Sequence, residues 1–384
     1  MFGNLKRAFA AVALTITLAA CQVIPGGETV PTGPVDRPVD VPSDVVLPSD
    51  DGRHRIALLV PLTGANSDVG QSIANATTMA LLDTNAENLR ITTYDTSQGA
   101  GTAAARAIAE GNRLILGPLQ RDNVSAVLAQ ARPADVPLIT FSNDTTVAAP
   151  DVFVMGHIPE QSIQRTVQFA ISKGARNFAV LVPNGEYGQR AAASLQTALG
   201  RGGARLVASE SYDRGNTSIV AAARRLETRG GFDTVLIADG ARLAAMAASE
   251  LKNAGEVLPS IIGTELWSGE TTLTRSAAMR GAWFSTVSDN RYRQFASSYE
   301  TRFGTQPYRI ATLGYDAVLL ALRVARDWTP GRDFPTGMML DRGGFLGLDG
   351  PFRFNSNGVG ERAMEVRQVG DGTMTVIDPA PAQF

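Results

Sequence analysis

Short apolar runs alternate with amphipathic stretches along the chain from Arg53 onward. Such alternation is typical of parallel sheets whose strands are connected by helices. The runs form two arrays of similar length, at about 53–154 and 158–262, and therefore predict two α/β lobes. The predicted strands are 56–60, 89–94, 114–116, 138–141 and 152–155 in the first array, and 178–182, 205–208, 235–238 and 261–262 in the second.

The amphipathic stretches carry the start and stop signals of helices. One begins at Asn216, ends at Gly230-Gly231, and carries on one side the apolar residues Ile219, Val220, Ala223 and Leu226. Ligands of open α/β sheets bind beyond the carboxyl ends of the strands, so two such sheets can face each other across a cleft. We expect the rest of the chain to return and complete the lobes, with strands or helices at 282–287, 291–303, 311–327, 350–355 and 363–369.

The start of the chain has the pattern of an export signal. Lys6 and Arg7 precede an apolar run at 8–20, and Cys21, the only cysteine, follows it. The run has about 13 residues, whereas a helix needs roughly 20 to span a bilayer. The pattern resembles a bacterial lipoprotein signal, which implies a signal peptide at 1–20 and an acylated Cys21 that begins the mature chain. The alternative is a buried thiol behind an uncleaved anchor.

Residues 21–52 are interpreted as the lipidated cysteine and a proline-rich tether. Six prolines lie between Gln22 and Gly52, with no helical or alternating period. At about 3.1 Å per residue the segment can reach on the order of 90 Å from a membrane. A spacer and simple disorder at a terminus explain this composition equally well. An aspartate after the cysteine resembles an inner-membrane retention signal, but Gln22 stands here, so we expect outer-membrane attachment facing the periplasm.

Composition excludes several classes of chemistry. The net charge is −2 and 19% of residues are charged, so the chain offers no general surface for nucleic acid. His54 and His157 lack partners at metal-ligand spacing, and acylation would consume the thiol of Cys21. The glycine-containing loop 64–72 has Gln71 where a phosphate-binding loop needs lysine. The sequence therefore predicts a non-catalytic protein without metal or cofactor.

Polar side chains concentrate just after the predicted strands of the first lobe, where ligands bind in this topology. An arginine such as Arg121 can hold a carboxylate through two parallel hydrogen bonds. It can equally be a solvated side chain or pair with Asp144, and the others can be turn or cap residues, with Ser67 or Asp68 as a helix N-cap. The candidate ligand-binding residues are Thr63, Gln120, Arg121, Asn143, Asp144 and Thr145.

An ordered series of short motifs from about Arg53 to Ile377 resembles the leucine/isoleucine/valine-binding protein family. The resemblance implies the type I periplasmic-binding-protein fold, in which two mostly parallel sheets flanked by helices close on a small ligand around a multi-strand hinge. It implies lobe 1 at 53–155, lobe 2 at 156–281 and returning segments at 282–384. The motifs are Pro61-Leu-Thr-Gly64, Gly70, Asp83-Thr-Asn85, Gly117-Pro118, Val136-Pro-Leu-Ile139, Glu186-Tyr-Gly188, Gly263-Thr-Glu265 and Gly344-Phe-Leu-Gly-Leu-Asp-Gly350 with Phe352 and Phe354.

The family's ligand residues carry over better to lobe 2 than to lobe 1. Tyr187 matches a tyrosine that lines the cleft, Glu265 matches the acid that binds the ligand's ammonium group, and Trp267 is a candidate apolar wall. Near Arg121 the family has a serine that holds the ligand carboxylate, whereas this chain has bulky polar and charged groups. A buried charge must be paired, so the resemblance predicts a ligand other than a simple branched-chain amino acid.

The lipid anchor, the tether and the altered first lobe also resemble the penicillin-binding protein activators, outer-membrane lipoproteins that stimulate a peptidoglycan synthase. Two hypotheses follow. The first is a receptor for an amino-acid-like ligand or a peptidoglycan fragment, working with an ABC permease. The second is a regulator of cell-wall synthesis that binds a penicillin-binding protein through its outer surface.

Overall fold

The computed structural model describes residues 52–253 and 258–384. The predicted signal peptide, Cys21 and almost all of the predicted tether therefore lie outside the described residues. Within the described part we find no helix whose length and apolarity would let it span a lipid bilayer.

Lobe 1 is built on a parallel sheet whose strands are β1 (His54–Val60), β2 (Leu89–Asp95), β3 (Leu114–Leu116), β4 (Leu138–Thr140) and β5 (Val152–Val154), in the order β2-β1-β3-β4-β5. Successive residues of a strand point to opposite faces. In β1, Leu58 joins the core on one face and Ala57 and Leu59 join the core on the other, and all three are fully buried. Both faces of this sheet are therefore covered, as is typical of parallel sheets.

Three helices connect these strands: α1 (Ser67–Asp83), α2 (Ala100–Ala109) and α3 (Val124–Ala131). Helix α1 begins at Ser67, and Asn66 occupies the cap position without a side-chain hydrogen bond. The expectation that Ser67 or Asp68 caps this helix is therefore wrong, because both residues already lie in its first turn. Gly70 packs against the chain entering the helix, where an added Cβ would lie 1.7 Å from the Pro61 carbonyl oxygen.

Lobe 2 is built on a larger mixed sheet. Its parallel strands are β6 (Asn177–Pro183), β7 (Arg205–Tyr212), β8 (Thr234–Ile237), β9 (Ser260–Ile262) and β10 (Trp283–Thr286). Its helices are α4 (Pro159–Ser172), α5 (Glu186–Gly202), α6 (Ser218–Arg229), α7 (Ala241–Asn253) and the short α8 (Thr272–Arg275). In α6 three residues of the predicted apolar side, Ile219, Ala223 and Leu226, are fully buried, and the fourth, Val220, is partly buried.

The remainder of the chain returns to both lobes. Its elements are α9 (Asn290–Phe303), α10 (Thr312–Val324), β11 (Phe345–Gly347), β12 (Gly350–Phe354), β13 (Gly360–Arg362), β14 (Glu365–Val369) and β15 (Met374–Asp378). Helix α10 packs on α1 and, with aromatic residues of the small antiparallel sheet β11-β12-β13, covers one face of lobe 1. Strands β14 and β15 extend the lobe 2 sheet, whose order is β15-β14-β10-β9-β8-β6-β7, by antiparallel pairing. The fold is thus mixed α/β with mostly parallel sheets and flanking helices.

Candidate functional site in the interlobe cleft

The candidate site lies where strand ends of the two lobes approach each other. Arg121 follows β3 and Asp144 follows β4, while Glu186 opens the helix after β6 and Glu265 follows β9. These strands are parallel within their sheets, so the segments that follow them emerge at one edge of each lobe. The topology therefore brings six side chains from both lobes around a cavity of about 300 Å³, formed by Arg121, Asn143, Asp144, Glu186, Tyr187 and Arg190.

Arg121 is the cationic centre of the lobe 1 side. Its Nη1 donates to Asp144 Oδ2 at 3.0 Å and to Glu186 Oε1 at 3.0 Å, and its Nε donates to Asp122 at 3.2 Å. Burial alone would raise the pKa of Asp144, but hydrogen bonds from Thr146 and the guanidinium of Arg121 hold it below its usual value. The guanidinium is therefore already engaged by three carboxylates of the protein itself.

Two of the contacts at this cavity join the lobes directly. The Arg121–Glu186 ion pair connects the β3–α3 loop of lobe 1 to the start of α5 in lobe 2. Arg190, one turn further along α5, donates from Nη2 to the backbone oxygen of Asn143 at 3.0 Å. Its guanidinium also binds both oxygens of Glu160, at 2.6 and 2.9 Å. Side chains of the protein thus bridge the two lobes across the cleft.

In lobe 2, Tyr187 lines the cavity, and Glu265 contacts Tyr187 without being among the lining residues. The Tyr187 hydroxyl lies 3.0 Å from Thr264 Oγ1 and donates to Glu265 Oε1 at 3.4 Å. The other carboxylate oxygen of Glu265, Oε2, is buried and has no hydrogen-bond partner. Burial raises the pKa of Glu265 to about 7, and burial together with the Glu265 charge raises the pKa of Tyr187. An acid with a free buried oxygen can accept a proton or a hydrogen bond from an added donor.

A second cluster of charged and polar side chains, Arg214, Asp239 and Tyr212, contacts Tyr187 through Arg214. The Arg214 guanidinium lies 5.2 Å from the centre of the Tyr187 ring and donates to Asp239 at 3.0 Å. Tyr212 donates to the same carboxylate at 2.8 Å, and burial raises its pKa. The Tyr187 ring therefore makes a cation–π contact with Arg214, and Asp239 holds Arg214 in place.

The other predicted site residues lie outside the cavity. Thr63 is exposed and donates to Asp95 at 2.8 Å, and exposed Gln120 accepts from Asn123 at 3.3 Å. Trp267 is fully buried in the lobe 2 core, where its indole N–H donates to the Asp239 backbone oxygen at 2.8 Å. The structure therefore corrects the assignment of Trp267 as a cleft wall, because none of its surface is accessible. Thr145, partly buried in the turn after β4, is likewise not among the lining residues.

Sequence reasoning missed Glu186 and Arg190 as site residues. Glu186 belongs to the Glu186-Tyr-Gly188 motif, in which the resemblance assigns a role only to Tyr187. Arg190 lies four residues after Glu186, so both share one face of α5 and point to one side of the helix. That spacing was the available signal for Arg190, whereas its contact with Asn143 depends on the approach of the lobes.

The hinge contains a separate, buried ionic network. Within the described residues the chain passes between the lobes at 155–158, 287–289 and 363–364. His157 Nε2, in the first passage, lies 2.7 Å from Asp349 Oδ2. Arg309 donates to Asp349 Oδ1 at 2.5 Å and lies 3.5 Å from Asp289 of the second passage. One buried carboxylate therefore connects two of these passages.

Arg362, the last residue of β13 and next to the third passage, extends the network. It donates to the Met155 backbone oxygen at 3.1 Å, pairs with Asp316 at 3.5 Å and lies 3.9 Å from Asp349. Burial alone would raise the pKa of Asp349, but Arg309, His157 and Arg362 hold this pKa well below its usual value. Burial and the neighbouring Asp349 charge raise the pKa of Asp316 to about 7.

Two α/β lobes, connected by several chain passages and facing each other through polar strand ends, define the class of two-lobed binding proteins. Residues 54–373 match the family model described as periplasmic binding protein, and the chain belongs to this family. The resemblance found in the sequence and the expected type I fold are both confirmed.

Two curated proteins show sequence similarity to parts of this chain. An uncharacterised protein of Rickettsia prowazekii, RP748, is 29% identical over 173 residues, which are 44% of this chain and 46% of that protein. Penicillin-binding protein activator LpoA of Photobacterium profundum is 28% identical over 140 residues, which are 35% of this chain and 23% of that protein. The aligned region thus spans less than half the length of either relative.

Solved structures of an amino-acid transporter protein and of a penicillin-binding protein activator share the fold. A branched-chain amino acid ABC transporter protein from Rhodospirillum rubrum matches with a TM-score of 0.74 at 20% identity, covering 85% of this chain and 100% of that one. Full-length LpoA from Haemophilus influenzae matches with a TM-score of 0.68 at 21% identity, covering 85% of this chain and 59% of that one. At these identities the likeness establishes the fold alone.

Proposed function

We propose that this protein is a non-catalytic regulator of peptidoglycan synthesis that acts through contacts with a penicillin-binding protein. The observation that carries the proposal is that the protein's own side chains already pair with one another inside the cleft. Arg121 binds Asp122, Asp144 and Glu186, so its charge is already more than balanced by the protein's own carboxylates. The carboxylate of a free amino acid would have to compete with these three carboxylates for the guanidinium, so Arg121 offers it no unbalanced positive charge.

The similarity to LpoA supports this choice over transport. That relative is named as an activator of a penicillin-binding protein, and its similarity to this chain is detectable in sequence as well as in fold. In this proposal the two-lobed unit presents an outer surface to the synthase, and contacts between its own side chains close the cleft reversibly without a ligand.

The proposal includes attachment to the envelope through acylated Cys21. The tether of residues 21–52 would carry the two-lobed unit across the periplasm from the outer membrane. Radiolabelled palmitate incorporation checks the anchor, because Cys21→Ser leaves no thiol for acylation. Label in wild type and none in the variant is the expected result, and an unlabelled wild type contradicts this part of the proposal.

The experiment for the main proposal is a reconstituted synthase assay. Full-length protein is added to a bifunctional penicillin-binding protein from the same cell, and glycan polymerisation and peptide cross-linking are measured separately. We expect a stable complex and a faster rate of at least one of the two reactions. Absence of both a complex and any rate change would contradict the proposal.

A second candidate function is binding of an amino-acid-like ligand or muropeptide, for delivery to an ABC permease. The specific observation in its favour is the buried, unpartnered Oε2 of Glu265 beside Tyr187, which suits a ligand amine. Calorimetric titration with amino acids and muropeptides tests this function. Heat of binding that is lost in Glu265→Gln would support it, and no heat with any of these compounds would eliminate it.

A further inference from the structure

A second polar cavity, lined by residues of lobe 1 and the returning segment, has no role in the function proposed above. It has a volume of about 420 Å³ and lies between α1 and the segment that follows α9. Small-molecule sites commonly have volumes of roughly 300–1,000 Å³. It shares no lining residue with the cleft cavity. From its side chains we infer that this cavity is a binding site for a neutral saccharide.

The lining chemistry excludes most other ligands. Each of the eight lining side chains carries a hydroxyl, an amide or a carboxylate, and none is lysine or arginine. An anion would find no cation here, and an aliphatic ligand would leave the amides without partners. Amides and hydroxyls both donate and accept hydrogen bonds, as sugar hydroxyls do. Asp68, the one acidic side chain of the lining, adds an acceptor for a sugar O–H.

The amides are fixed in position by a hydrogen-bonded chain along α1. Gln71 Nε2 donates to Asn75 Oδ1 at 2.9 Å, and Asn75 Nδ2 donates to the Tyr299 hydroxyl at 3.0 Å. Tyr299 is only 2% exposed, so the chain is anchored in the core. These bonds use one donor of each amide, and Gln71 keeps its oxygen and its second N–H for a ligand. Such pre-orientation lowers the entropy cost of binding a flexible polyol.

Tyr308 supplies an aromatic surface at the rim. Its side chain is 48% exposed although it is a large aromatic group, and it belongs to none of the apolar clusters of the described residues. Its backbone N–H donates to Ser72 Oγ at 3.1 Å, which ties the segment to α1. A half-exposed ring beside the Gln71 amide offers an apolar face to sugar C–H groups, while the amide serves the sugar edge.

Gln306 completes the arrangement on the opposite wall. Its Nε2 donates to Glu300 at 2.6 Å, which leaves its carbonyl oxygen as a free acceptor. The cavity therefore combines one aromatic face with amides on two walls, Gln71 and Asn75 on one and Gln306 on the other. An envelope protein meets saccharides of this neutral type both as cell-wall glycan and as free oligosaccharide, and the probe compounds below separate these sources.

Ligand-observed NMR, by saturation transfer on the full-length protein, tests the inference without any synthase. The probes are chitotetraose, a β-1,4-linked N-acetylglucosamine tetramer, and maltotetraose as a neutral glucan. We expect saturable binding of at least one of them, and preference for chitotetraose would indicate a cell-wall glycan. No saturable binding of either would overturn the inference while leaving the proposed regulatory function open.

Variants locate the binding. Tyr308→Ala should weaken it about tenfold, because an apolar contact face is lost. Gln71→Ala should weaken it about two- to tenfold through lost hydrogen bonds. Two controls should bind like wild type: Gln120→Ala, another exposed glutamine of lobe 1, and Glu186→Gln in the cleft. Binding that survives Tyr308→Ala, or that is lost in Glu186→Gln, would place the saccharide elsewhere and contradict the inference.

Discussion

The cleft and the hinge both join the lobes with ion pairs, but in opposite environments. At the cleft the side chains of Arg121 and Glu186 are 46% and 60% exposed. At the hinge Asp349 and Asp316 are fully buried and the Arg362 side chain is 3% exposed. Exposed ion pairs contribute about 0–1 kcal/mol, whereas removing one partner of a buried pair costs about 3–5 kcal/mol.

This difference separates the part of the molecule that can open from the part that must stay intact. The cleft contacts can exchange with water at little cost, so closure of the lobes is readily reversible. The hinge ions cannot be exposed singly without leaving an uncompensated buried charge. We therefore interpret the Asp349 network as the fixed pivot and the Arg121–Glu186 pair as a weak latch.

The largest expected effect is at the pivot. Asp349→Ala removes the carboxylate that faces His157, Arg309 and Arg362, and leaves the buried Arg362 and the partly buried His157 and Arg309 without it. We expect a loss of about 3–5 kcal/mol in the free energy of unfolding, measured by urea denaturation. Glu361→Ala is the matched control, since it removes the partner of Arg353 at a position 39% exposed and should cost under about 1 kcal/mol. Equal losses of unfolding free energy in the two variants would contradict the proposed difference between buried and exposed ion pairs.

An effect of intermediate size is expected for Glu265, on the pH dependence of the unfolding free energy. Its pKa rises from the ordinary value of 4.5 to about 7 in the folded protein, so the folded state binds the proton more tightly than the unfolded chain. Stability from this group is therefore present at about pH 4–5 and is lost as the pH rises toward 7. Glu265→Gln should reduce the fall in unfolding free energy between pH 5 and pH 8 by on the order of 1–3 kcal/mol.

Urea denaturation at both pH values checks the Glu265 prediction. Asp316 also has a raised pKa and contributes in the same direction, but it does so in both proteins, so the difference isolates Glu265. The exposed Glu270→Gln is a control that should leave the wild-type pH dependence unchanged. A Glu265→Gln profile parallel to wild type would show that this carboxyl is not strained by burial.

The smallest effect on stability is expected at the latch. Glu186→Gln removes the Arg121 ion pair and should change the unfolding free energy by less than about 1 kcal/mol. It should nevertheless shift the lobes toward an open arrangement, seen as a larger radius of gyration in small-angle X-ray scattering. Glu87→Gln, at the opposite edge of lobe 1, should leave the radius at the wild-type value. An unchanged radius in Glu186→Gln would show that other contacts hold the cleft closed.

Much of the architecture could be predicted from apolar periodicity. Each predicted strand of the two arrays is observed, although β7 continues to Tyr212 instead of ending at 208. Strands β11, β13 and β15 were missed. The first two have three residues each, and β15 is largely exposed, so none shows an apolar alternation strong enough to be recognised.

The candidate site was predicted less completely than the fold. The sequence offered Asp144 as one possible partner of Arg121, since both follow adjacent parallel strands, and the structure contains that pair. It offered no reason to pair Arg121 with Glu186, because these residues belong to different sheets whose separation depends on the hinge. The position of Trp267 was misjudged because a residue two places after a site acid can still turn into the core.

The sequence by itself determined the two-lobed α/β class, because the alternation of apolar runs and amphipathic stretches is a local pattern. It can be recognised without knowing which residues are in contact. The sequence also determined that the chain carries a single cysteine and few histidines. Only the tertiary structure decided which charges are paired, since a pair such as Arg121 and Glu186 is 65 residues apart and forms only when the lobes close. The same holds for Asp349, a turn residue that is buried because the fold brings His157, Arg309 and Arg362 around it from distant parts of the chain.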